Sequence, residues 1–216
     1  MNSRVILVSD DRSSLRSPDT LLWPDAACMR GIHTGEWTAH IFEYAMSFEG
    51  NMTQVRELAA ANGVGVLHPH GALATDPPGL IVCDVDSTVT RTEAIDLLAE
   101  CAGNADEVRE ITARAMVGEL DFTQSLYARV RCLEGLHIGA LEEAWKATVI
   151  TPGTAELVAA AHDVGAAVGL VSGGFTAIVD PLAEQIRADF AASNELEIVD
   201  NHLTGRVVGD IIDRAA

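Results

Sequence analysis

The sequence predicts an α/β fold: a Rossmann-like parallel sheet flanked by helices, carrying a helical cap and a β-hairpin, and preceded by a small α/β N-terminal module. Three observations predict it. Short, wholly apolar runs at Leu80–Cys83 and Ala166–Val171 have the character of strands covered on both faces. Helical segments alternate with those runs, as βαβ units in a parallel sheet require. The Pro77-Pro78-Gly79 break sets this region apart from what precedes it, because neither helix nor sheet continues through such a sequence.

Residues 1–76 make the smaller module. Val5–Val8 reads as a strand and Trp37–Met46 as another, since Ile41, Phe42 and Tyr44 favour β structure. Residues 52–62 are helical in composition, with Gly63 placed as the C-cap and Val64–Leu67 as a returning strand. Asp10–Pro24, rich in Ser, Asp and Arg, reads as a loop. His68 and His70 have no Cys, Asp or Glu beside them at ligand spacing, so a metal site is not the favoured reading there.

Residues 77–216 make the larger domain, with the cap over about 92–150. After the Leu80–Cys83 strand, residues 92–102 place Ile95, Leu98, Cys101 and Ala102 on one helical face. Asp106–Met116 and Asp121–Leu133 are further helical segments, and Thr154–Val164 is a helix ended by Gly165. The second apolar strand follows, and then Phe175–Phe190 reads as helix apart from Pro181. Residues 196–208 read as a hairpin turning near Asp200-Asn201.

With 216 residues and a net charge of −18, the chain repels nucleic acid and anionic membrane surfaces, which excludes both as partners. No apolar run approaches the ~18 residues of a membrane span, and the N-terminus lacks a secretory pattern, so the expected location is cytoplasmic. Cys28, Cys83, Cys101 and Cys132 show no CxxC spacing and read as small buried residues in a reducing compartment. A protein this acidic needs local positive charge wherever it holds a phosphate.

Chemistry gathers beyond the carboxyl ends of strands in such sheets. The first strand delivers Asp84-Val85-Asp86-Ser87-Thr88 there. Two carboxylates two residues apart on a strand point to opposite faces, but a turn starting at Asp84 brings both to one site. The plainer alternative is a helix cap made by Ser87 or Thr88. Ser172-Gly173-Gly174 follows the second strand and opens the next helix, which offers a hydroxyl and free N–H groups to an oxyanion.

The DVDST run resembles the first motif of the haloacid dehalogenase superfamily. RTEAIDLLAECAG, ITARAMVGELDFTQSLYARV, LVSGGFTAIV and NELEIVDNHLTGRVVGDIID extend the resemblance over residues 79–213, and within the superfamily they are most similar to the phosphoserine phosphatases. The resemblance implies a Mg²⁺-dependent hydrolysis of phosphoserine, the last step of serine biosynthesis, through an aspartyl-phosphate. It implies Asp84 as nucleophile, Asp86 as general acid and base, and both as metal ligands. It implies Ser172 and Gly173 as phosphate-binding, Glu93 facing the substrate ammonium, Arg129 pairing its carboxylate, and Met116 with Phe122 as an apolar lid.

The family also carries a lysine after the hairpin and a later Gly-Asp-Gly-x-x-x-Asp element. Lys146 is the only lysine and lies on another segment, while residues 209–216 read as the start of a helix. The expectation is therefore a chain cut short, inactive or loosely folded, with its apolar strands along an unpaired edge. Two alternatives stay open: a substrate-binding module without turnover, or a phosphatase for another small phosphate ester. Homodimerisation is likewise open, and the N-terminal module is expected to be regulatory on domain order alone.

Overall fold

At the Pro77–Pro78 bond the chain divides into two units, residues 1–77 and 78–216. The computed structural model describes residues 3–9, 28–33, 38–44, 52–69 and 71–213. Unit one contains β1 (Ser3–Ser9), β2 (Cys28–His33), β3 (Thr38–Tyr44), α1 (Met52–Ala61) and β4 (Gly65–Leu67). They form a sheet in the order β2-β3-β1-β4, with every neighbouring pair antiparallel. Gly63, at φ 69°, ends the helix as expected, and the Val64 N–H closes back on the Ala59 carbonyl at 2.9 Å. Strand β2 was not anticipated, because Cys-Met-Arg-Gly-Ile-His has no alternation of polar and apolar residues. The Asp10–Pro24 loop and His70 lie outside the described residues.

Unit two opens with β5 (Leu80–Cys83) and a tight turn over Val85–Val89. Four cap helices follow: α2 (Ala94–Ala102), α3 (Ala105–Met116), α4 (Phe122–Arg131) and α5 (Gly139–Ala147). Then come α6 (Thr154–Asp163), β6 (Ala167–Phe175), α7 (Thr176–Ile186), β7 (Phe190–Val199) and β8 (His202–Val208). The sheet runs β5-β6-β7-β8, parallel across the first three strands and antiparallel at the β7–β8 hairpin. The hairpin turns on Asp200 and Asn201, at φ 49° and 62°, the left-handed pair that a two-residue turn between twisted strands needs.

Two apolar clusters hold this unit. Helices α6 and α7 cover one sheet face, where Val158, Ala161, Val179 and Leu182 meet Val168 and Leu170. The cap has its own core of Leu98, Val108, Leu126, Val130 and Leu133, which extends to Phe175, Ile178, Leu196 and Leu203. Backbone bonds stitch cap to hairpin: Gly135 N–H to the Leu203 carbonyl and Leu203 N–H to the Leu136 carbonyl, both 2.8 Å. The segment that follows helix α4 is thereby tied to β8. The start of α4 is fixed by a capping box between Asp121 and Gln124.

Four expectations need correction. Strand β5 is covered on one face only: Leu80 and Val82 are 53% and 52% exposed, whereas Ile81 and Cys83 pack on the helices. Among the described residues β5 lies at the sheet edge, but β6 does not, since it pairs on both sides. The helix expected to run to Phe190 stops at Ile186, where Arg187 turns left-handed at φ 62°. There Asp189 accepts the Val168 N–H at 2.7 Å and meets His162 Nε2 at 3.0 Å. The backbone bond, more than the histidine, lowers the Asp189 pKa, and together they dock the start of β7 against β6. Residues 209–213 form bends, not the opening of a helix. No helix among the described residues is long and apolar enough to cross a membrane.

Candidate active site

Asp84, Asp86, Glu93, Phe122, Arg129, Ser172 and Gly173 line one pocket of about 230 Å³, together with Ile95, Leu126, Gly174 and Phe175. Strand β5 ends at Cys83 and releases Asp84 into the turn. Asp86 has an extended backbone (φ −63°, ψ 132°) and Ser87 is left-handed at φ 55°, a reversal that returns the second carboxylate to the side of the first. Thr90, 1% exposed, ties the turn shut through its N–H and hydroxyl, both on the Val85 carbonyl at 2.9 and 3.1 Å. The two aspartates thus share a site because the strand stops where it does.

Neither Ser87 nor Thr88 caps the following helix. The N-cap of α2 is Glu93, whose side chain makes no capping bond. Instead Asp86 Oδ1 accepts the Ala94 N–H at 2.8 Å from eight residues upstream, so one carboxylate serves both the helix end and the pocket. The Ser87 hydroxyl donates to Glu93 Oε1 at 2.5 Å and so aims the Glu93 carboxylate, and the Thr88 hydroxyl reaches Asp84 Oδ2 at 3.5 Å.

Burial raises the Asp86 pKa, and the nearby Glu93 and Asp84 charges push the same way, against the Ala94 and Ser172 hydrogen bonds. A carboxyl that keeps its proton into a higher pH range is suited to hand it to a departing oxygen. Desolvation lowers the Arg129 pKa, opposed by Glu93, Asp96 and Asp86, yet a guanidinium stays charged at neutral pH. Its Nε–H donates to the Ser125 carbonyl at 3.3 Å, one turn back on α4, which orients the fork.

Ser172-Gly173-Gly174 was expected to open a helix, but it lies inside β6, and α7 begins only at Thr176. The β6–β7 ladder passes from Val171↔Ala192 to Phe175↔Asn194, so four steps on β6 face two on β7. The surplus residues bulge out of the ladder and face the pocket. Ser172 Oγ accepts the Gly174 N–H at 2.8 Å and donates to Asp86 Oδ2 at 3.3 Å. Glycine is required here by contact: a Cβ on Gly173 would stand 2.7 Å from the Phe122 ring, and one on Gly174 would stand 2.6 Å from Asp86 Oδ2. Gly174→Ala is therefore expected to displace the Asp86 carboxylate and to lower any turnover by roughly 10²-fold, the scale of an ångström-sized misplacement. A melting curve close to the parent's beside that loss would separate misplacement from unfolding.

Met116 differs from its expectation. It ends α3 at 83% exposed and does not line the pocket, because the α3–α4 connection carries it outward, whereas Phe122 bends over Gly173. Sequence reasoning also passed over Gly174 as a named site residue, and Ser87 as the partner of Glu93. The run of glycines was a visible signal for the first; nothing local marked the second.

The model of the haloacid dehalogenase-like hydrolases matches residues 81–216. The chain belongs to that family. A phosphoserine phosphatase from Streptomyces coelicolor is 49% identical over 157 residues, which cover 73% of this chain and 38% of that protein. One from Lactococcus lactis is 45% identical over 136 residues, 63% of each chain. Among solved structures, a substrate-bound phosphoserine phosphatase complex is 39% identical with a TM-score of 0.60, covering 63% of this chain and 65% of its own. A probable phosphoserine phosphatase from Vibrio cholerae is 33% identical with a TM-score of 0.74, covering 97% of this chain and 64% of its own. The chain thus spans between about two fifths and two thirds of the length of these relatives.

Proposed function

We propose that this domain hydrolyses a small phosphomonoester, and that the ester is O-phosphoserine. The observation that carries the reading is the convergence of two aspartates, a forked cation, a glutamate and a serine–glycine bulge on one pocket. Names of relatives at 45–49% identity support the substrate.

Hydrolysis of phosphate monoesters is among the slowest uncatalysed reactions, and a covalent step divides it. An Asp84 carboxylate oxygen attacks phosphorus and the bond to the serine oxygen breaks, while protonated Asp86 supplies that oxygen with its proton. Water then attacks phosphorus, Asp86 takes the proton, and the bond to Asp84 breaks to release inorganic phosphate. Ser172 and the bulge N–H groups hold the non-bridging oxygens. Glu93 faces the ammonium and Arg129 the carboxylate, a bidentate pairing that guanidinium geometry favours.

The hard carboxylate oxygen of Asp84, with the backbone of the Val85–Asp86 stretch, would hold Mg²⁺, which leaves the Asp86 carboxyl free to carry its proton. Among the described residues no three acidic, His or Cys side chains group to hold the ion. When bound, the ion would neutralise charge on phosphate as the anionic nucleophile approaches.

Phosphate release from phosphoserine by the purified chain, with and without Mg²⁺, tests the reading. Absence of turnover beside a retained fold would favour the second reading, a module that binds substrate without hydrolysing it. That reading has its own support, since the pocket sets Asp84, Asp86 and Glu93 against a single arginine. Specificity has a separate test. Arg129→Lys should weaken use of phosphoserine at least tenfold more than use of an aryl phosphate, because only the former presents a carboxylate to the lost fork. Equal losses on both substrates would assign Arg129 to packing or to the phosphate instead.

A further inference from the structure

We propose that Asn194 is a positioning residue of this pocket, aiming the Gly174 N–H inward and tying the serine–glycine bulge to the segment 209–213. Asn194 sits on β7 at 1% exposure, opposite Phe175 where the β6–β7 ladder resumes. Asparagine is seldom this deeply buried, and burying its amide costs free energy unless both ends are bonded. Here both are. Oδ1 accepts the Ile212 N–H at 2.9 Å, and Nδ2 donates to the Gly173 carbonyl at 3.0 Å and to the Ile212 carbonyl at 3.4 Å.

The Ile212 N–H can only donate, so it fixes which end of the carboxamide is oxygen. The opposite end must then present its N–H to Gly173. The bulge leaves Gly173 without a ladder partner on β7, and Asn194 supplies a bond in its place. The Gly173 carbonyl and the Gly174 N–H belong to one peptide unit, which is planar and trans. Holding the carbonyl from behind therefore turns the N–H the other way, toward Ser172 Oγ at 2.8 Å, and Ser172 reaches Asp86 Oδ2 at 3.3 Å. A relay thus runs from Ile212 through Asn194 and one peptide plane to Ser172 and Asp86. Its consequence for ligand rests on the reading that the bulge seats a phosphoryl group.

Two substitutions in the full chain separate the two ends of the clamp. Asn194→Asp keeps an oxygen for the Ile212 N–H but sets an oxygen against the Gly173 carbonyl; Asn194→Ala removes both bonds. Amide hydrogen exchange by NMR reads each end directly. In Asn194→Asp the Gly174 amide is expected to exchange at least tenfold faster, the scale of one lost buried hydrogen bond, with Ile212 and the core amide of Leu170 within about twofold of the parent. In Asn194→Ala both Gly174 and Ile212 should accelerate, still ahead of Leu170. Gly174 exchange unchanged in Asn194→Asp would overturn the proposal. So would equal acceleration of Gly174, Ile212 and Leu170, which is the mark of a residue that only supports the fold. Titration with inorganic phosphate and Mg²⁺ should shift the amides of residues 172–174 in the parent and bind about tenfold more weakly in Asn194→Asp. No shift in the parent would remove the phosphate seat while leaving the exchange result to decide the clamp.

Discussion

Asp84→Asn is expected to abolish hydrolysis of phosphoserine, leaving less than about a hundredth of the parent rate, because an amide is a poor nucleophile and a weaker ligand for a hard cation. The fold should survive. Asp84 lines an open pocket, where its side chain meets the Thr88 hydroxyl at 3.5 Å. Two measurements check the expectation: phosphate release, and covalent phosphoryl label on the protein after rapid acid quench. The parent should carry label and the variant none. Label that persists in Asp84→Asn would place the nucleophile elsewhere and remove the assignment, whatever the turnover.

Asp86→Asn should cut turnover by roughly 10²–10⁴, the range of general acid–base catalysis, and it should do so without loss of stability at neutral pH. The asparagine carbonyl can still accept the Ala94 N–H that Asp86 Oδ1 holds at 2.8 Å. The pKa of Asp86 is raised, chiefly by burial, so the folded state binds its proton more tightly than the unfolded chain does. Its favourable contribution is full below the unfolded value, near 3.9, and is lost as pH rises through the raised folded value. At pH 7 the ionised carboxylate therefore opposes folding, and the neutral variant should melt at an equal or higher temperature. As pH falls toward about 4 the two melting temperatures should converge. A variant that melts lower at pH 7 would show that Asp86 is held by its hydrogen bonds more strongly than burial opposes it.

The clash positions of the two glycines describe how this pocket is assembled. Gly174 has no room for a side chain because Asp86 is there, and Gly173 has none because Phe122 is there. One glycine therefore serves the turn after β5 and the other serves the cap. The bulge in β6 is the point where sheet, turn and cap meet, and Asn194 holds it from β7. Three segments far apart in sequence each place an atom within bonding or contact distance of these three consecutive residues.

Much of this was legible in the sequence where the signal is local. The run Leu80–Cys83 became β5 with its bounds unchanged, because four apolar residues flanked by a glycine and an aspartate leave little choice of strand. Asp200-Asn201 became the hairpin turn, since these two side chains tolerate the left-handed conformation. Asp84 and Asp86 were visible as a pair, and the turn that unites them follows from the end of the strand. Other features depended on partners that no local pattern names. The helix read over Phe175–Phe190 ends at Ile186, and Phe190 instead starts a strand because β6 lies beside it in parallel and imposes the ladder. Ser172–Gly174 became a bulge and not a helix start because β7 offers two steps where β6 has four. Met116 left the pocket and Phe122 entered it according to the course of the α3–α4 connection, which helical periodicity does not specify. Residue types and strand ends are set by short-range preference, so the sequence alone determined the chemistry available. Register and burial are pairwise properties of distant segments, so only the tertiary structure decided which atoms that chemistry meets.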